Sequence, residues 1–251
     1  MKPIRQIITL FAFLFLNGSE AFAQSEPTSR ERKNTVRINV SNPLIFGSRS
    51  MIFGYERLLK KNQSFSVNFG TQGLRNFSEG LQTDSIRLLD NSGSRGFHIS
   101  GDYRFYLAKE NKYPAPRGVY IGPYYSFNKF ERVNTWRMNT NSFTGDVSTD
   151  LGLNVHTIGF ELGYQFIFAK KFSLDLVLLG PGVGFYNFKA GISTTLSLAQ
   201  QEEFYKRIND FLAERIPGYN LVVDGVDFAK TGSFRTAGPG YRYMINLGFR
   251  F

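Results

Sequence analysis

The 251-residue sequence contains no cysteine and only one tryptophan. Without cysteine the chain cannot be a disulfide-stabilised scaffold. It also cannot be a lipoprotein anchored through an N-terminal cysteine. The two histidines form no cluster with metal-ligand spacing, so the sequence predicts no metal site and no cofactor. The apolar run near the N-terminus, Ile7–Leu16, is far shorter than the roughly 20 residues that a membrane-spanning helix needs.

The first residues have the features of an export signal. Lys2 and Arg5 precede the apolar run, and Ala21-Phe22-Ala23 gives the small-x-small pattern that a signal peptidase cleaves. We therefore predict a signal peptide over residues 1–23, with a buried N-terminal helix as the alternative. Residues 24–34 are polar and charged, which indicates a flexible lead-in.

The charge balance is basic, with 30 Lys and Arg against 20 Asp and Glu. Removal of the signal peptide takes away two positive charges and one negative charge, which lowers the formal net charge from +10 to about +9. Export argues against nucleic acid as the partner. Anionic headgroups, such as lipopolysaccharide phosphates, are the expected counter-ions.

Residues 35–251 show eight stretches in which apolar and polar residues alternate, the pattern of β-strands. In His156–Ala169 one face is formed by Ile158, Phe160 and every second residue up to Phe168, and the other face is polar or glycine. The last stretch, from Tyr241 to Phe251, alternates in the same way. The remaining predicted strands are Thr35–Ser41, Met51–Leu58, Ser64–Gly73, Gly96–Leu107, Gly118–Phe130 and Lys171–Lys189, the last with a bulge or kink at Gly180-Pro181-Gly182.

The connections between these strands alternate in length. Residues 59–63, 108–117 and 169–171 are short, basic and turn-like, whereas about 74–95, 131–152 and 190–239 are predicted as long loops. Short turns at one end and long loops at the other are typical of outer-membrane barrels. The third long loop contains a predicted amphipathic helix over 197–216, which begins at a Ser197/Gln200 capping box and ends before Pro217-Gly218.

Alternation alone also fits a soluble lipocalin-like barrel, whose apolar face points inward. The apolar face here is strongly aromatic, with 26 Phe and 13 Tyr in the whole chain, and the opposite face carries charges and glycines. Aromatic girdles are expected at the two interfaces of a membrane barrel. We therefore predict an all-β fold, an eight-stranded antiparallel transmembrane β-barrel over residues 35–251.

The final strand carries a family resemblance. It ends in Phe249-Arg250-Phe251 and resembles the assembly signal of outer-membrane β-barrels, which implies recognition by the barrel-assembly machinery of a Gram-negative bacterium. The layout resembles small eight-stranded barrels of the OmpA/OmpX type. Phe53–Arg57 with Lys60–Ser66 resembles strand–turn–strand units of Bacteroidetes-type barrels. The implied assembly-signal residues are Tyr243, Ile245, Leu247, Phe249 and Phe251.

If the aromatic face contacts lipid, the polar face lines the barrel interior. An eight-stranded barrel is only wide enough to be filled by side chains, and buried charges there must be paired. We therefore predict a plugged interior held by ion pairs, a porin-like barrel without an open pore, with a gated channel as the alternative. The predicted network consists of Arg37, Glu56, Asp102, Arg104, Glu161, Asp175, Arg242 and Arg250.

The sharpest catalytic hypothesis is His98-x-Ser100-x-Asp102, which places a base, a nucleophile and an acid on one strand face. A lipid-modifying esterase would use such a set, but alternate polar residues are common on any polar strand face. We therefore predict no catalytic residues and no enzyme. The expected role is structural or surface interaction, with outer-membrane lipid or lipopolysaccharide, and an unidentified surface protein, as partners.

Overall fold

The computed structural model describes residues 32–73, 86–140, 143–193 and 232–251, together with a few residues between 197 and 210. Residues Arg32–Phe251 form one compact unit. The predicted signal peptide and most of the lead-in lie outside the described residues. Among the described residues, no helix is long and apolar enough to cross a bilayer.

The described chain is built almost wholly from antiparallel β-strands. One short helix, α1, covers Ser41–Phe46 in the connection after the first strand. The strands are β1 Asn34–Asn39, β2 Ile52–Lys60, β3 Gln63–Thr71, β4 Ile86–Tyr106, β5 Gly118–Thr140, β6 Phe143–Phe168, β7 Phe172–Leu179, β8 Pro181–Ser193, β9 Ser233–Tyr241 and β10 Met244–Arg250.

Eight of these strands close into a ring. Each strand from β1 to β6 pairs with the next strand in sequence, β7 pairs with β10, and β10 pairs with β1. We call the junction between β1 and β10 the seam; its register runs from Thr35 opposite Arg250 to Asn39 opposite Asn246. Closure into a ring leaves these strands without an open edge over their paired lengths.

Two continuous stretches of chain, β7 with β8 and β9 with β10, bend where they leave the ring. β7 and β8 are separated only by Gly180, and β9 and β10 only by Arg242 and Tyr243; the Arg242 N–H donates to the Gly180 carbonyl at 2.8 Å. Beyond this bend β8 pairs with the first half of β6 and with β9. We call the sheet that rises beyond the ring, formed by the outer parts of β4, β5 and β6 with β8 and β9, the wall.

The wall corrects the prediction of long loops at 74–95 and 131–152. β5 and β6 continue their pairing to Thr140 and Phe143, and β4 begins at Ile86. The polarity of the strand faces changes in this region: Phe130, Trp136 and Val147 are buried on the inner face, whereas Lys129 and Arg137 lie on the outer face. The predicted strands ended too early because they were defined by an apolar outer face.

The region after β8 is described only in part. β9 occupies Ser233–Tyr241, within the predicted long loop 190–239. Of the helix predicted over 197–216, the structure describes eight residues; Ser197 is not helical, whereas Leu198, Ala199, Gln201, Tyr205, Lys206, Asn209 and Asp210 are, with Tyr205 buried. The rest of that predicted helix lies outside the described residues.

Candidate functional site: the barrel interior

The barrel is polar inside and apolar outside. Arg104 and Asp175 are fully buried, whereas Phe160 on the outer surface is 70% exposed. The alternation of β-strands produces this division, because successive side chains point to opposite faces. Charged side chains are rarely buried in soluble proteins, so the polarity of this ring is inverted relative to that of a soluble barrel.

Arg104 lies at the centre of the interior. Its guanidinium contacts Asp102 at 2.6 Å and Asp175 at 3.1 Å, and it lies 3.6 Å from both Glu56 and Glu161. The guanidinium also stacks over the ring of Tyr120, 4.3 Å from the centroid. Four carboxylates from four strands therefore converge on one cation, which offsets much of the cost of burying them.

Asp175 is the carboxylate that accepts hydrogen bonds from four different side chains of the interior. Its Oδ2 accepts hydrogen bonds from Arg37 at 2.9 Å, from Arg104 at 3.1 Å and from Asn246 at 3.1 Å. Its Oδ1 accepts a bond of 2.6 Å from the hydroxyl of Tyr120. The carboxylate is therefore held by donors from β1, β4, β5 and β10, on both sides of the lumen.

Glycines make room for the large polar side chains. A Cβ added at Gly163 would overlap the ring and hydroxyl of Tyr120, and one added at Gly54 would overlap the Asn68 side chain. Tyr120 can therefore cross the lumen to Asp175 only because β6 carries no side chain at position 163.

The network continues towards the wall through Arg242. This guanidinium lies 3.1 Å from both Asp102 and Glu161. Seven of the eight residues expected in the network are thus joined by ion pairs, three cations with four carboxylates. Arg250 lies at the end of β10, half-buried, and donates to the Arg32 carbonyl at 2.8 Å.

Several interior residues were not singled out from the sequence. The hydroxyl of Tyr106 donates to Glu56 at 2.8 Å and lies 2.7 Å from Gln165 Oε1. The Gln165 amide donates to Glu56 at 3.1 Å. Their position on the same strand face as Arg104 and Glu161 was the available signal, but uncharged residues received no weight in the prediction.

His98 and Ser100 meet at the upper part of the interior. His98 Nε2 lies 2.9 Å from Ser100 Oγ, and its Nδ1 lies 2.7 Å from Asn128 Oδ1 on β5. Asp102, the acid of the catalytic hypothesis, instead contacts Arg104, Arg242 and Ser66. The amide of Asn68 also donates to Ser100 at 3.2 Å, and Ser100 is 3% exposed.

The other histidine, His156, lies on the outer face of β6. Its Nδ1 is 2.7 Å from the hydroxyl of Tyr125, and its ring contacts Phe127. It belongs to the aromatic outer surface, in the middle of β6 rather than at a strand start. Within the described residues, no group of three or more His, Cys, Asp or Glu side chains could hold a metal ion.

The apolar outer face has a similar length, nine to eleven residues, on neighbouring strands. On β6 it runs from Ile158 to Phe168, on β5 from Val119 to Phe127, and on β4 from Phe97 to Phe105. These nine to eleven residues match the length with which a tilted strand crosses a bilayer core. Arg95, Lys129 and Asn154 end the apolar face towards the wall. We call this surface the apolar belt.

The outer face of the wall carries ion pairs, although Leu89 and Val133 are also exposed there. Arg137 and Asp146 pair across the β5–β6 hairpin at 2.8 Å, and this hydrogen bond lowers the pKa of Asp146. Lys129 pairs with Glu131 at 2.6 Å. A groove of about 590 Å³ lies among these strands, lined by charged, amide and glycine residues that include Lys129, Asp150, Asn187 and Lys189.

No family model and no curated protein matches the chain. Among solved structures it is similar to CarO2 of Acinetobacter baumannii, with 9% identity, a TM-score of 0.39 and coverage of 88% of this chain and 98% of that one. It is also similar to a major outer membrane protein from Thermus thermophilus, with 9% identity, a TM-score of 0.36 and coverage of 88% and 100%. Likeness at this level carries no argument about function, which must come from the geometry above.

Proposed function

We propose that this protein is an outer-membrane β-barrel with a structural or surface-interaction role and a lumen closed by ion pairs. The observation that carries the proposal is the inverted polarity of the ring: buried arginines and carboxylates inside, exposed phenylalanine and aliphatic side chains outside. A soluble ligand-carrying barrel has the opposite arrangement.

The dimensions of the belt support a membrane location. From Ile158 to Phe168 there are ten residue steps, or about 34 Å along the strand. At the tilt of roughly 35–45° usual for such barrels, this is about 25 Å along the membrane normal, the height of their apolar band. Polar residues follow at both ends of the belt, as expected where a strand leaves the hydrocarbon.

The interior supports a closed barrel rather than an open pore. Eight strands enclose a space that side chains can fill. Here the arginines and tyrosines reach across it to carboxylates on other strands, as in the contact between Arg37 and Asp175. A gated channel would have to break several of these buried contacts at once.

The wall supports the interaction role. Its ion-paired outer face and the groove beside Lys129 and Asp150 lie beyond the apolar belt, where they would face water or the outer headgroups. In bacterial barrels the long connections lie on the cell-surface side and the short turns on the periplasmic side. The wall would then present this groove to lipopolysaccharide or to a surface partner.

The membrane location is tested by the electrophoretic mobility of the detergent-extracted outer-membrane fraction, boiled against unboiled. We expect a compact band that shifts on heating, because a closed barrel resists detergent until it is heated. Recovery only from the soluble periplasmic fraction would overturn the proposal, and an inward-facing apolar carrier would replace it.

A second candidate, a lipid esterase, rests on the Ser100–His98–Asn128 geometry. A serine, a histidine within hydrogen-bond distance and an amide that orients the ring are the parts of an acyl-transfer site. Two features argue against it: Ser100 is buried inside the barrel, whereas acyl chains lie outside, and Asn68 already donates to its hydroxyl.

A further inference from the structure

The end of the barrel that carries the short turns is strongly basic. Among its described residues, Glu110 supplies the one exposed side-chain carboxylate. We call the basic residues of this end the collar: Arg32, Lys33, Arg57, Lys60, Lys61, Lys109, Lys112, Arg117, Lys170 and Lys171. No comparable excess exists among the described residues of the wall, where Glu131, Asp146 and Asp150 lie among the bases.

We propose that the collar binds the phosphate groups of anionic phospholipids in the membrane leaflet at the short-turn end. This inference rests on the proposed function, because it requires the apolar belt to lie in a bilayer. It also changes the expected counter-ion: the densest positive charge lies opposite the wall, away from the lipopolysaccharide leaflet.

The depth of the collar supports this partner. Lys170 and Lys171 follow Phe168 and precede Phe172, both exposed on the belt. One or two residues at about 3.4 Å each place their ammonium groups within several ångströms of the last lipid-facing ring. The headgroup layer extends roughly 5–8 Å beyond the hydrocarbon on each side, so the collar would lie at phosphate depth.

The backbone conformation of the turn between β6 and β7 supports a binding role for Lys170. Ala169 and Lys170 have φ of +46° and +59°, left-handed values that favour glycine or asparagine. Ala169 and Lys170 are the two central residues of a turn closed by the hydrogen bond of 3.1 Å from the Lys171 N–H to the Phe168 carbonyl, where Asn and Gly are usual. The turn therefore keeps a lysine in a strained backbone conformation, and such strain often marks a functional position.

Arg117 shows how a collar residue can be held near the headgroups. Its guanidinium stacks on the Tyr113 ring, 3.7 Å from the centroid, in the connection between β4 and β5. Tyrosine and arginine beside a lipid-facing surface are well suited to the interface, since one end of each is apolar and the other is polar.

The test uses the full-length protein folded in vesicles that contain equal amounts of phosphatidylethanolamine and phosphatidylglycerol. After detergent extraction, mass spectrometry counts the phosphatidylglycerol retained per barrel. The variant combines Lys60→Gln, Lys61→Gln, Lys170→Gln and Lys171→Gln. The matched control removes the same charge from the opposite end with Arg49→Gln, Arg95→Gln, Lys189→Gln and Arg235→Gln.

We expect the collar variant to retain on the order of tenfold less phosphatidylglycerol, because each basic residue near an anionic surface contributes measurably to binding. The control should stay within about twofold of the natural protein, since its four residues lie at the opposite end of the barrel from the collar and its proposed lipid contacts. Equal retention in both variants would overturn the proposal and leave an acidic protein as the partner of this end.

Two single variants distinguish loss of the lysine charge from a change in folding. Ala169→Gly relieves turn strain and keeps the charge, whereas Lys170→Gly relieves the same strain and removes the charge. We expect only Lys170→Gly to lose phosphatidylglycerol, and equal loss in both would contradict the collar. Absence of a heat-modifiable band in the natural protein would instead contradict the membrane location itself.

Discussion

Arg104 and Asp175 lie 3.1 Å apart across the lumen, although their strands, β4 and β7, are separated in the ring by two others. Neither residue is accessible to water, and each has further partners of opposite charge. The contact therefore holds β4 and β7, which face each other across the ring, in a fixed relative position. It is a property of the closed ring that no single strand or hairpin can form alone.

Replacing Asp175 by Asn should destabilise the barrel strongly. Arg37 and Arg104 would remain buried after losing the carboxylate that both contact, and breaking a buried pair in this way costs about 3–5 kcal/mol. The measurement is the urea midpoint of unfolding in lipid vesicles, followed by tryptophan fluorescence. Asp146→Asn is the control, because its pair with Arg137 is exposed; an equal shift in both would refute the prediction.

The natural protein should show no stepwise conductance in a planar bilayer. The proposed closed lumen leaves ions no continuous aqueous path, because ion pairs such as Arg37–Asp175 and the bond from Tyr120 to Asp175 cross it. A double change, Arg104→Ser with Asp175→Ser, removes both central side chains and should admit small ions. Regular conductance steps from the natural barrel would favour the gated channel.

Gly163→Ala should impair folding by overpacking. The added methyl group would overlap the Tyr120 ring, which is fixed by its bond to Asp175, and such strain costs about 1–3 kcal/mol. The folded fraction on an unboiled gel reports the effect. Gly152→Ala is the matched control on the same strand, because its Cβ would have no neighbour nearer than 4.0 Å.

Deletion of Phe251 should lower insertion into the outer membrane while export continues. The prediction follows from the resemblance of the last strand to an assembly signal, and Tyr243, Phe249 and Phe251 are all exposed on the belt. The amounts in membrane and periplasmic fractions report it. Phe185→Ala changes a comparably exposed ring on β8 and should insert normally. Normal yield of the deletion variant would count against the signal.

Ser100→Ala tests the esterase. If the interior is structural, overexpression of the natural protein or of this variant should leave the mass spectrum of lipid A unchanged. A new deacylated species that appears with the natural protein and disappears with Ser100→Ala would establish catalysis. His98 would then be the base, because it is the ring within 2.9 Å of the hydroxyl.

The sequence predicted the ring well where one simple rule holds. From Val119 to Phe127 and from Ile158 to Phe168, lipid-facing residues alternate with polar ones, and both strands lie where alternation placed them. The same rule failed in the wall. There the inner face of β5 holds Phe130 and Trp136 beside Arg132 and Asn134, so the period persists while the inner face becomes mixed instead of polar.

The interior was predictable in composition but not in connectivity. Alternation assigns Arg37, Asp102 and Asp175 to one face, yet it says nothing about which of them meet across the ring. That depends on strand stagger, which sets Asp175 opposite Asn246 and Gln165. The partners Tyr106, Tyr120 and Gln165 were missed because alternation marks their face but does not distinguish neutral residues that cross the lumen from those that do not.

The seam has a consequence for the order of assembly. Six junctions of the ring join strands that are consecutive in the chain; β7 and β10 are separated by β8 and β9, and the seam, which joins Thr35 to Arg250, spans the longest separation of all. Local hairpins form quickly and distant pairings slowly, so closure is expected to be the last and slowest step. Beyond these register pairs, Asn34 and Phe251 exchange two backbone hydrogen bonds, of 3.2 and 2.9 Å, so the ring cannot close until its first and last strands have both been delivered.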